Sequence, residues 1–176
     1  ELTSINEEMQ SANEELAATN EELINYQENL QQLNETLVKS ENKFRQLMQE
    51  VPVAIALLKG PHHELESAND QITKLWGKAN TILNKPLTEI LPELEGQHFI
   101  SLLDEVYKTG ESYYGSEEKA VLKHEEGLKD FYLNFIYQPV KDIDGEITGI
   151  MVVATDVSEQ VASRHVVEES EGRLKF

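Results

Sequence analysis

Apolar residues return at every seventh position through the first 47 residues of this chain. Leu2, Met9, Leu16, Leu23, Leu30, Leu37 and Phe44 form one series, and Ile5, Ala12, Thr19, Tyr26, Leu33, Ser40 and Leu47 follow each of them by three. An unbroken 3-4 spacing keeps one stripe of a helix turned toward a partner helix and imposes a left-handed supercoil. Such a helix would run on the order of 70 Å at 1.5 Å per residue. Residues 1–50 are therefore expected to form a coiled-coil rod, with Leu2, Ile5, Met9, Leu16, Leu23, Tyr26, Leu30, Leu33 and Leu37 as its dimer seam.

A second repeat lies inside the first. Asn6-Glu7-Glu8-Met9, Asn13-Glu14-Glu15-Leu16 and Asn20-Glu21-Glu22-Leu23 are near-copies, and Asn34-Glu35-Thr36-Leu37 is a degenerate fourth. With Leu at heptad position a, Asn falls at e and Glu at f and g. Residues 1–47 carry ten acids against Lys39, Lys43 and Arg45. Ala12, Thr19 and Ser40 weaken the seam further. The pattern describes a coiled coil of modest stability, one that can shift or rotate as a signalling helix must; a plain spacer or oligomerisation rod is the alternative. The seam alone leaves parallel and antiparallel pairing open.

Beyond the rod, about 125 residues remain, enough for one domain with its own core. A net charge of −18 argues against nucleic acid, whose binding depends on Lys and Arg neutralising phosphates, and against anionic membrane surfaces. No apolar run reaches the roughly 18 residues that span a bilayer, and no secretory signal peptide is visible. The absence of cysteine removes disulfides, thiolate metal sites and cysteine nucleophiles, and fits a cytoplasmic location. The first residue is Glu1 rather than Met, and the chain is read as an excerpt of a longer protein.

Pro52 should end the rod, since the residue before proline avoids the helical region. Val53–Leu58, closed by Gly60-Pro61, reads as a buried strand, with Glu64–Ser67 as its hairpin partner. Asn69 or Asp70 can cap a short helix carrying Ile72, Leu75 and Trp76 and stopped by Gly77. Pro86 and Pro92 break residues 78–95 into short helical turns. Phe99, Leu102, Leu103, Val106 and Tyr107 mark a helix ended by Gly110. The period then becomes two: Phe131, Leu133, Phe135 and Tyr137 alternate with Tyr132, Asn134, Ile136 and Gln138. A turn at Ile143-Asp144-Gly145 leads to a strand over Ile147–Thr155, and residues 113–124 hold one more. The layout is α+β, with helices on one face of an antiparallel sheet.

Phe135-Ile136-Tyr137-Gln138-Pro139-Val140, Asp142, Asp144-Gly145, Thr148-Gly149-Ile150-Met151-Val152-Val153 and the closing Asp156-Val157-Ser158-Glu159-Gln160 resemble the end of a PAS domain. Asn69 matches an Asn that many PAS domains carry after the second strand. The resemblance covers about residues 46–160. It implies a five-stranded PAS fold over 51–160, in which Asp156, Val157 and Ser158 couple the domain to its output helix. The Asn-Glu-Glu-Leu repeats are similar to linkers that precede PAS domains in bacterial sensor kinases and in chemotaxis methylesterase/methyltransferase fusions. Lys39-Ser40-Glu41-Asn42-Lys43-Phe44-Arg45 is echoed 130 residues later by Glu169-Ser170-Glu171-Gly172-Arg173-Leu174-Lys175. Residues 161–176 thus read as an exit helix leading toward a further domain.

No catalytic motif is complete. A phosphate loop ending in Gly77-Lys78 would need Gly at Ile72 and Ser or Thr at Ala79, and a zinc-protease pattern from His63-Glu64 would need His at Ser67. Asp142 and Asp144 sit too close to Gly145 for a calcium loop. His165 lacks the acidic neighbour and downstream proline of a phosphoacceptor histidine, so no metal and no reaction is assigned. Flavin chemistry through a thiol adduct would need a cysteine. Heme through His98 is a minor alternative, since oxygen-sensing relatives carry a His on the corresponding helix. Trp76, Phe99, Leu103, Tyr107, Phe135 and Met151 are candidate pocket residues, though core packing alone accounts for them. Together these readings predict a cytoplasmic PAS sensor or relay module of a bacterial signalling protein, a histidine kinase in the first instance, with no enzyme activity of its own. It would form a homodimer through a parallel coiled coil, with adjacent PAS or kinase domains as partners and neither nucleic acid nor membrane. An inert scaffold, or the PAS part of a chemotaxis fusion, is the alternative.

Overall fold

The computed structural model describes residues 1–79 and 82–173, and the chain divides into two compact units, Glu1–Leu47 and Met48–Phe176. The first unit is helix throughout. Helix α1 spans Leu2–Glu50 without interruption and buries none of its residues. Gln10 donates to Glu14 and Gln31 to Glu35, each at 3.1 Å, and Arg45 pairs with Glu41. Such i,i+4 contacts support a helix only modestly. The seam stays in water, from 49% exposed at Leu30 to 84% at Leu2.

The second unit is a five-stranded antiparallel sheet in the order β2-β1-β5-β4-β3. Its strands are β1 (Ala54–Lys59), β2 (Glu64–Ala68), β3 (Tyr113–His124), β4 (Gly127–Lys141) and β5 (Ile147–Asp156). Helices α2 (Asp70–Trp76), α3 (Leu87–Ile90) and α4 (Phe99–Thr109), with a 3-10 turn at Pro92–Leu94, connect β2 to β3. Helix α5 begins at Ser158 and runs to Arg173. The last three residues of the expected exit helix, and the last two of its sequence echo, lie outside the described residues.

Period-two patterning builds the core. On β4, Phe131, Leu133, Phe135 and Tyr137 all turn inward and are buried. They meet Ala54, Ala56 and Leu58 of β1, Ile150, Val152 and Ala154 of β5, and Leu103 and Val106 of α4. Gly77 stops α2 in the left-handed conformation, φ 65° and ψ 34°, and its N–H reaches back to the carbonyls of Thr73 and Lys74. Glycine adopts that conformation without steric cost. The His124 ring also lies over this residue, so that a Cβ there would sit 2.7 Å from it.

Each edge of the sheet is covered over part of its length. On β2, Leu65 N–H donates to Lys85 O and Asn84 N–H donates to Leu65 O. On β3, the Gln97 carboxamide accepts from Val121 N–H and donates to Val121 O, each at 2.9 Å, and Glu93 accepts from Lys123 N–H at 2.9 Å.

Candidate functional site

The chain meets the sheet at two junctions, and each is held by hydrogen-bonding side chains. Asn69 holds the incoming one. It is fully buried and caps α2, its Oδ1 accepting from Ile72 N–H at 3.0 Å and from Ile55 N–H at 2.9 Å. Its Nδ2 donates to Val53 O at 2.7 Å and to Met48 O at 3.0 Å. A carboxamide offers two donors and two acceptor lone pairs, and all four are used. The Gln49 side chain adds an acceptor for Asp70 N–H.

Asp156, Val157 and Ser158 make the outgoing junction. Asp156 closes β5 opposite Leu133. Its Oδ1 accepts from Ser158 N–H at 2.9 Å and from the Ser158 hydroxyl at 2.5 Å, which starts the first turn of α5. Ser158 Oγ in turn accepts from Tyr132 N–H, and Val157 N–H donates to Tyr132 O. Val157 and Val161 bury their side chains. The carboxylate acts here as a cap; no ion pair reaches Asp156 among the described residues. Ala54 pairs with Ala154 across β1 and β5, so only Thr155 lies between the β5 residue that meets the start of β1 and Asp156.

Sequence reasoning found Asn69, Asp156, Val157 and Ser158 but missed their partners. Nothing in residue type marks the main chain of Tyr132. A further tie was also unforeseen. Glu117 sits at a break in the β3–β4 register with φ 52°, held there by Asn134 Oδ1. It forms a two-pronged ion pair with Arg164 of α5, at 2.9 and 2.5 Å. The guanidinium holds the Glu117 carboxyl below the ordinary carboxylate range.

The family model described as the PAS fold matches residues 48–162. The chain belongs to the PAS family. Among solved structures it is similar to the PAS domain of a Colwellia psychrerythraea protein, at 15% identity and TM-score 0.53, covering 70% of this chain and 98% of that one. An RNA-binding Light-Oxygen-Voltage receptor matches at 20% identity and TM-score 0.59, covering 77% and 37%. A Rhodobacter sphaeroides Light-Oxygen-Voltage protein matches at 15% and 0.54, covering 72% and 75%. At these identities the likeness is one of fold.

The interior of this PAS domain is nearly filled. A cavity of about 40 Å³ remains, lined among others by Trp76, Phe99, Leu133, Phe135, Tyr137 and Val152. That is room for a water or two, against roughly 300–1,000 Å³ for ligand pockets. Burial pushes the Tyr137 phenol well above its ordinary pKa. Three of the expected pocket residues, Trp76, Phe99 and Phe135, do line it. Leu103 packs in the core away from it, and Tyr107 sits half-buried, its ring edge-on to His63 at 6.1 Å. Met151 is a correction: β5 turns Ile150 and Val152 inward, so Met151 points outward and is exposed. Leu133 and Tyr137 were legible from the same alternation that marked Phe135. His98 precedes α4 at the surface, hydrogen-bonded to Glu118 and stacked on Phe99, and its ring does not line the cavity. A wider groove of about 380 Å³ runs between the two junctions, with Pro52, Lys74, Phe131 and Asp156 on its walls.

No helix among the described residues is long and apolar enough to cross a membrane, and no group of three or more His, Cys, Asp or Glu among them could hold a metal ion.

Proposed function

We propose that this PAS chain is a cytoplasmic sensor or relay module of a bacterial signalling protein, a histidine kinase in the first instance, and that it works as a homodimer through a parallel coiled coil formed by α1. The observation that carries the reading is the pair of hydrogen-bonded junctions. Asn69 fixes the chain at Met48 and Val53, and Asp156 fixes the start of α5. Both belong to one continuous ladder, β1 to β5 to β4. A displacement of the sheet by a ligand, a neighbouring domain or the paired helices changes the geometry at both junctions together. A two-state element biased from either end is what a relay needs. The near-filled core supports a relay moved through its helices over a sensor of a large ligand. The Asn-Glu-Glu-Leu repeats, similar to linkers in sensor kinases, support the kinase context.

Replacing Asp156 by Ala in the full-length protein tests this. The fold should persist, because the carboxylate contributes a cap worth about 1 kcal/mol, while stimulus control of the output is lost. Unchanged control in a folded Asp156→Ala protein would refute the relay.

A further inference from the structure

On α1 the flanks of the seam are as regular as the seam itself. Heptad position g is Glu at 8, 15 and 22, and the e position of the following heptad is Asn13, Asn20 and Gln27. In two parallel helices in register, each g side chain lies beside the next e side chain of the other helix. Every one of these carboxylates would then face a carboxamide, an acceptor facing a donor, six times in a symmetric pair. Two of the outward f acids, Glu14 and Glu35, are satisfied within the helix by Gln10 and Gln31. Glu8, Glu15 and Glu22, like Glu7, Glu21 and Glu28 at f, make no side-chain contact among the described residues, and neither do Asn13, Asn20 and Gln27.

We infer that α1 recognises a second copy of this chain, parallel and in register, through a ladder in which Glu8, Glu15 and Glu22 accept hydrogen bonds from the partner's Asn13, the partner's Asn20 and the partner's Gln27. This rests on the proposal that α1 pairs with itself, and adds what fixes direction and register. Hydrogen bonds to a charged acceptor are the stronger kind, and the amide neutralises nothing, so the pair stays acidic. Antiparallel pairing with full overlap serves the same residues less well. Glu8 would meet the partner's Lys43 and Glu22 the partner's Asn29, but Glu15 would meet the partner's Thr36, and the carboxamides of Asn13 and Asn20 would face other carboxamides. The seam points the same way. Antiparallel helices oppose a with d, which sets Thr19 against the partner's Leu30 and Ser40 against the partner's Met9. Parallel helices in register set each weak layer against itself and keep Leu16, Leu23, Leu30 and Leu37 in Leu–Leu layers.

The chain has no cysteine, so one introduced at a d position reports direction cleanly. Thr19→Cys should oxidise to a covalent dimer across most of the population. If Thr19→Cys stays unlinked while a mixture of Thr19→Cys and Leu30→Cys cross-links, the helices run antiparallel and the ladder is wrong. Sedimentation of the same samples unoxidised separates the two ideas: a lone molecule at high concentration overturns the pairing itself. The double variant Asn13→Lys/Asn20→Lys turns four of the ladder contacts into ion pairs. It should tighten the dimer roughly tenfold, and more than Ser11→Lys/Ala18→Lys, which adds the same charge at outward c positions. Equal tightening by the two would rule the ladder out even in a parallel dimer.

Discussion

Truncating Asn69 to Ala would strand four main-chain groups at once: the N–H groups of Ile55 and Ile72, and the carbonyls of Met48 and Val53. Each unsatisfied buried group costs about 1–3 kcal/mol, partly relieved where water reaches the chain. Asn69→Ala should therefore lower unfolding stability by roughly 3 kcal/mol, read from the urea midpoint, and Asn69→Asp should lose the two donated bonds while keeping the cap on α2. A loss below about 1 kcal/mol for Asn69→Ala would mean that water replaces the carboxamide. Glu93 gives a pH-dependent counterpart. Burial opposes its ionisation, but the Lys123 N–H, its own N–H and the Lys78 ammonium outweigh that, and its carboxyl titrates below the ordinary value of 4.5. A depressed folded pKa contributes stability that is present above the unfolded value and lost as pH falls through the folded one. The stability gap between the wild type and Glu93→Gln should thus be widest at neutral pH and close below about 4.5. A gap independent of pH between 7 and 3 would remove the carboxylate as its source.

At the scale of elements, the tightest constraint is a close approach of strands. Gly149 of β5 pairs with Lys59 of β1, and a Cβ on it would lie 2.2 Å from the carbonyl oxygen of Leu58. Although this pair lies at the end of the β1–β5 ladder, a backbone atom cannot yield as a flexible side chain does. Gly149→Ala should cost at the upper end of the roughly 1–3 kcal/mol typical of overpacking, with the protection of β1 and β5 amides from hydrogen exchange falling first. Normal protection there would show that the strands can part cheaply. The elements themselves were largely legible in the sequence. A period of seven marked α1, a period of two marked β4, and Asn69 and Gly77 bracketed α2. What sequence could not show was where side chains finish the backbone. Gln97 imitates a strand against Val121, and the main chain of Tyr132 receives the outgoing junction; both depend on the packing of distant segments. The pocket was legible only in part, because being apolar does not tell which side of β5 Met151 occupies.

For the whole molecule, the covered edges decide how copies can meet. Open strand edges invite edge-to-edge association, but the segment at 84–86 closes β2, and Gln97 and Glu93 close part of β3. Among the described residues, most of the large apolar side chains left exposed lie on α1, the seam included. Association through that seam carries an electrostatic signature. Each copy brings ten acids and three basic residues in residues 1–47, so the rods repel while their Leu layers attract. The repulsion acts over distances that salt screens, about 10 Å at 0.1 M, whereas burial of apolar surface is not weakened by screening. Raising sodium chloride should therefore tighten the dimer, read as a falling dissociation constant in sedimentation equilibrium. Ion pairs between helices would give the opposite slope. Replacing Leu16 and Leu23 by Ala should abolish the dimer at every salt concentration, since screening removes a penalty and supplies no attraction. A dimer that weakens with salt, or survives the double Ala replacement, would place the contact on another surface of the chain.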